Sequence, residues 1–112
     1  MLVQKNTIIK KLTSIENKIA SIKQELQSIG PMRPGSLTKQ YLKPKEQKGP
    51  YWQISYTHKM KSRTEYVKEE FVPLLENQIN EFKKHKKLIQ LWIDLAIEHS
   101  KLSIELAKLT KD

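Results

Sequence analysis

Seven apolar residues, Ile8, Leu12, Ile15, Ile19, Ile22, Leu26 and Ile29, recur at alternating spacings of four and three. Nearly everything between them is Lys, Gln, Ser, Asn or Glu, so the segment reads as a heptad seam on a solvated helix. With Leu12, Ile19 and Leu26 at the a positions and Ile8, Ile15, Ile22 and Ile29 at d, the pattern is not the one that favours parallel two-stranded coils. Antiparallel and higher-order packing both remain open. Gly30 and Pro31 then stop the helix, because glycine suits a C-cap and proline cannot continue the hydrogen-bond ladder.

From Gly30 to about Lys48 the chain holds three prolines, two glycines and scattered lysines, a connector with room for one short strand at Ser36 to Leu42. The period then changes to two. Tyr51 to Thr57 and Arg63 to Val67 are rich in aromatic and β-branched residues and flank the polar segment His58 to Ser62. This predicts a hairpin with a five-residue loop that pairs Thr57 with Arg63. Trp52, Ile54, Tyr56, Thr64 and Tyr66 would then share one face, and Gln53, Ser55, Thr57, Arg63 and Glu65 the other. Trp52 and Tyr56 are assigned to the core and Tyr51 to the exposed surface, although such aromatics also serve as stacking platforms for unpaired bases.

After Lys68 the helical period returns. Glu69 and Glu70 suit the positive end of a helix dipole, and Pro73 is tolerable in a first turn. The last half carries Leu88, Trp92, Leu95, His99, Leu102, Leu106 and Leu109, again spaced four and three. A helix from about 70 to 110 would be roughly 60 Å long, so it is expected to pair with the first helix, another copy, or both. His85 and His99 are two heptads apart; a polar layer or a half-exposed position is preferred to a metal-bridging or pH-sensitive layer.

The charge is uneven. The chain has 21 Lys and Arg against 12 Asp and Glu, a net charge of +9 in 112 residues. Residues 33 to 69 hold nine basic and three acidic side chains, or +6, two thirds of the excess. An anionic partner is therefore expected there, with Lys59 and Lys61 at the hairpin tip placed for phosphates. Arg33, Lys39, Lys43, Lys45 and Lys48 read as a basic arm that settles along phosphates, and Gln53, Ser55, Thr57 and Arg63 as a ribbon face for a DNA groove. The bland counterparts are a solvated loop and an ordinary sheet face whose lysines guard against edge pairing. Lys83, Lys84, Lys86 and Lys87 form a further short basic belt.

Several classes are excluded or disfavoured. Without cysteine there is no disulfide framework and no thiolate metal site, and the composition fits a reducing compartment, so a cytoplasmic protein is expected. The start has no apolar run long enough for a signal peptide, and LIQLWIDLAI, broken by Gln90 and Asp94, is too short to span a bilayer. No paired carboxylates, nucleophile with base, phosphate-cradling glycine loop or metal spacing is present, so neither catalysis nor a cofactor is expected. Glu98 and Lys101 are expected to form an exposed ion pair.

Gly35-Ser36-Leu37, Gly49-Pro50-Tyr51-Trp52 and Tyr66-Val67, followed by a long helix, resemble a family of small uncharacterised bacterial and archaeal proteins often found near transposases or on mobile elements. The resemblance covers about residues 33 to 100 and implies the architecture and a mobile-element context. Family members frequently carry cysteines between the first two blocks. Lys43 to Lys48 has none, so no metal role transfers.

The expectation is an α+β single domain with a coiled-coil helix over 1–30, a basic connector and small antiparallel β-hairpin over 31–69, extendable to three strands, and a long helix over 70–112. The helices pair and oligomerise. The chain is expected to bind nucleic acid, DNA ahead of RNA, as a homo-oligomer, without catalysis. The alternative is a coiled-coil adaptor, or an accessory subunit of a larger protein or ribonucleoprotein assembly, that docks on another protein through its helices.

Overall fold

The computed structural model describes residues 2–111. Helix α1 spans Leu2–Gln27, strands β1, β2 and β3 span Ser36–Lys43, Lys48–His58 and Lys61–Val67, and helix α2 spans Val72–Thr110. Short 3-10 turns at Pro44–Glu46 and Glu69–Phe71 precede β2 and α2. The layout is the expected α+β, with the sheet three-stranded, antiparallel and in the order β1-β2-β3. Among the described residues no helix is long and apolar enough to cross a membrane.

The chain divides into two compact units, one formed by the residues up to Ser28 with those from His85 onward, the other by Ile29–Lys84. In the helical unit the seam positions Ile8, Leu12, Ile15 and Ile22 of α1 are buried, as is Leu88 of α2. Lys23 Nζ lies 5.2 Å from the centre of the Trp92 ring. A groove lined by Glu16, Ile19, Ala20 and Lys23 continues past Trp92 and Ala96 to His99. Falling numbers on α1 thus meet rising numbers on α2, which makes the pair antiparallel. His99 is half-buried, with Ser103 Oγ 3.4 Å from its Nδ1. The expected ion pair between Glu98 and Lys101 does not form; instead Gln90 donates to Asp94.

In the sheet unit, Val72, Leu75 and Ile79 lie on one stripe of α2 and bury against Ile54 and Val67, with Leu37 and Trp52 packed around them. Ile54 is wholly buried. Gly35 crosses so close to it, at φ +144°, that a Cβ would lie 2.9 Å from Ile54 Cγ1. Only glycine combines that backbone conformation with that approach. The connector is fixed to α2 by two hydrogen bonds: the Arg33 N–H donates to the Gln78 carbonyl at 3.0 Å, and the Gly30 N–H donates to Glu81 Oε2 at 3.2 Å.

The hairpin differs from expectation in its turn. Thr57 pairs with Ser62 rather than Arg63, and His58 pairs with Lys61, so the loop is the two residues Lys59 and Met60. Both have positive φ, 51° and 65°, the backbone of a type I′ turn, whose twist matches that of the flanking strands. Because side chains alternate, one step of register exchanges the two faces of β3. Arg63 and Glu65 therefore join Trp52, Ile54 and Tyr56, while Thr64 and Tyr66 join Gln53, Ser55 and Thr57. Tyr66 is consequently 68% exposed, whereas Tyr51, expected at the exposed surface, is half-buried.

Candidate nucleic-acid interface

Strand pairing sorts the side chains of the sheet unit into two chemically distinct faces. The face toward α2 carries Leu37, Trp52, Ile54 and Val67 at its covered centre. By alternation the same face carries Lys39, Lys43 and Lys48 toward the β1–β2 loop, and Arg63 and Lys61 toward the β2–β3 turn. Lys45 lies in the 3-10 turn between β1 and β2, and Lys59 in the two-residue turn. Basic side chains therefore mark both ends of the strands and both edges of the sheet. None of these seven has an ion-pair partner among the described residues.

The opposite face has no charge. It presents Ser36, Thr38, Gln40 and the exposed Leu42 from β1, Gly49, Tyr51, Gln53, Ser55 and Thr57 from β2, and Ser62, Thr64 and Tyr66 from β3. Cross-strand hydroxyls meet: Ser55 and Thr64 at 3.2 Å, and Thr57 and Ser62 at 3.2 Å. Gln40 donates to Thr38 at 3.4 Å. Gln53 is half-buried at the centre, and its amide has no hydrogen-bond partner within the described residues and is not itself buried.

Sequence reasoning gathered Arg33, Lys39, Lys43, Lys45, Lys48, Gln53, Ser55, Thr57, Lys59, Lys61 and Arg63 as one set, and the fold separates them. Gln53, Ser55 and Thr57 stay together on the neutral face, without Arg63, which lies on the other side. Arg33 is already engaged: its Nη2 donates to Glu65 Oε2 at 2.7 Å, and its guanidinium lies 5.1 Å from the centre of the Tyr56 ring. Tyr56 donates its hydroxyl to Glu65 Oε1 at 2.8 Å. Lys39 Nζ sits 5.9 Å and 6.0 Å from the Tyr41 and Trp52 rings. Ser36, Thr38, Gln40, Ser62, Thr64 and Tyr66 share the face of Gln53 and lie outside the expected set. Pairing Ser36 to Leu42 as a third strand would have found the first three.

The Arg33 hydrogen bond, followed by that of Tyr56, holds the Glu65 carboxyl below the usual glutamate range. The stabilisation linked to this depressed pKa is present above the ordinary glutamate pKa and is lost as pH falls through the lowered value. In an NMR titration Glu65 should show a midpoint below that of a free glutamate. Arg33→Ala should bring it back up, with a smaller rise for Tyr56→Phe.

No curated protein and no solved structure matches the chain. Residues 9–77, which run from α1 through the whole sheet to the first turns of α2, match the family described as a domain of unknown function, DUF6788, and the chain belongs to that family.

Proposed function

We propose that this is a non-catalytic DNA-binding protein that lays the neutral face of its sheet into the major groove of double-stranded DNA and grips the flanking phosphates with Lys45 and Lys59 of the turns and with the long basic side chains that reach out past the sheet edges from its other face. One observation carries the reading: the separation of a charge-free hydrogen-bonding face from a basic rim on the same small sheet. Phosphate contacts supply affinity and base-edge contacts supply register, and a reader needs both kinds in that arrangement.

The dimensions support it. The outer strands of a three-stranded sheet lie about 9.6 Å apart, against a major groove about 12 Å wide. From Lys48 to His58 the central strand rises roughly 33 Å, close to one turn of B-DNA. The deep, narrow major groove of A-form RNA would not admit it, which places duplex DNA ahead of duplex RNA. A cysteine-free sequence suits work in a reducing cytoplasm. Titration of a labelled duplex at two salt concentrations tests the proposal: binding that weakens steeply with salt is expected, and no binding at low salt would remove it.

The helical unit favours an additional role in self-association. Ile93, Ile97 and Ile104 of α2 are 47%, 52% and 56% exposed. With Ser100 and Ala107 they repeat the four-and-three spacing of the covered seam, and Ile93, Ala96, Ile97, Ser100 and Lys101 line one open groove. A second heptad seam is built to receive a helix, and a second copy offers the matching stripe. Light scattering of the purified chain should give a dimer or larger defined oligomer, reduced to monomer by Ile97→Glu. A wild-type monomer at high concentration would exclude this.

A further inference from the structure

We infer that the neutral sheet face selects A·T base pairs in the major groove, with Gln53 as its principal adenine-reading side chain and Gln40 as a second; this rests on the DNA-binding reading above. The inference comes from what the face contains and from what it lacks.

Each base pair shows a distinct pattern in the major groove. Guanine is read by a bidentate Arg or Lys at O6 and N7, cytosine by a carboxylate accepting from N4, adenine by a bidentate Asn or Gln at N6 and N7, and thymine by apolar contact with its methyl group. The face offers two glutamines, three serines, three threonines, two tyrosines, Leu42 and Gly49, with no Arg, Lys, Asp or Glu at any of its twelve positions. In a chain where 29% of residues are charged, the side chains needed for guanine and cytosine are all elsewhere. Arg63, the natural guanine reader of the hairpin, is turned to the opposite face by the register of β3.

Gln53 is placed for the part. It sits on the central strand, paired with Thr38 on one side and Tyr66 on the other. The residue is half-buried, but its amide is neither buried nor committed within the described residues, leaving both its donor and its acceptor for a base edge. The threonine beside it brings a methyl group to an adjacent thymine. Gln40 lies further along β1, its amide held only by the 3.4 Å contact to Thr38.

The experiment measures fluorescence anisotropy of the full chain with three duplexes of equal length: one of A·T pairs, one of G·C pairs, and the A·T duplex with 7-deazaadenine, which lacks the N7 acceptor. Binding to the A·T duplex is expected to be on the order of tenfold tighter than to G·C, with the deaza duplex falling toward G·C. Gln53→Ala should remove most of the preference while leaving the salt slope unchanged, which shows that the rim still engages. Gln53→Glu, which keeps size and shape, should also lose the preference for adenine. Equal binding of A·T and G·C duplexes would overturn base selection and leave DNA binding standing. A preference for A·T that ignores both 7-deazaadenine and the glutamine substitutions would overturn it too, assigning selection to the minor groove. No binding of any duplex at low salt would overturn the DNA reading, and this inference with it.

Discussion

Replacing Ile54 by alanine is expected to destabilise the sheet unit by about 3–4 kcal/mol, the largest loss from any single truncation in it. Ile54 is fully buried and packs at the centre of a cluster that otherwise holds only Val67, Val72, Leu75 and Ile79, edged by Leu37 and Trp52. A core this small cannot close around the space left by three missing carbons, so the cavity cost adds to the lost transfer energy. Gly35, fixed against Ile54 by its backbone conformation, has no side chain with which to fill the gap. Urea denaturation followed by circular dichroism and tryptophan fluorescence reads the effect. Tyr66→Ala, on the solvated face, should stay within about 0.5 kcal/mol of the wild type. A loss below about 1 kcal/mol for Ile54→Ala would mean that α2 does not seal the sheet as described.

The second large effect concerns the rim. Changing Lys43, Lys48, Lys59 and Lys61 together to alanine should lower duplex affinity on the order of a hundredfold at low salt and reduce the salt slope by about 3.6, at 0.9 per phosphate contact. All four are exposed and none has an ion-pair partner among the described residues, so their removal should leave folding stability nearly unchanged. This sets them apart from Arg33. That residue carries the same charge but is tied to Glu65 and Tyr56, and its substitution should loosen the connector more than it weakens binding. An unaltered slope in the quadruple variant would mean that phosphates are held elsewhere, with the lysine belt of α2 the next place to look.

The helices were the legible part of the sequence. Seven seam positions at four-and-three spacing indicated α1, and four of them, Ile8, Leu12, Ile15 and Ile22, are buried. The long second helix followed from the same rule. The sheet was harder to read because its register is set by a turn whose residues give no sign of it. A type I′ turn is expected at Asn-Gly or Asp-Gly, and here it is formed by Lys59 and Met60, both forced to positive φ. The polar run from His58 to Ser62 looked like a longer loop. With few apolar residues in β3 to mark the buried face, only Val67 could have fixed the pairing. The site suffered the same error. The cations stand in the connector and hairpin whatever the register, since charge is a property of composition. Which face they occupy depends on register, and a shift of one residue separated Arg63 from Gln53, Ser55 and Thr57, with which it had been grouped.

Whether the basic rim and the neutral face together bind DNA is tested most directly by the equilibrium affinity of the full chain for a short duplex across a salt series. If the rim engages about five phosphates, log K should fall with log salt with a slope near −4.5, close to a five-hundredfold loss between 50 mM and 200 mM. A flat response, or no measurable binding at low salt, would contradict the account.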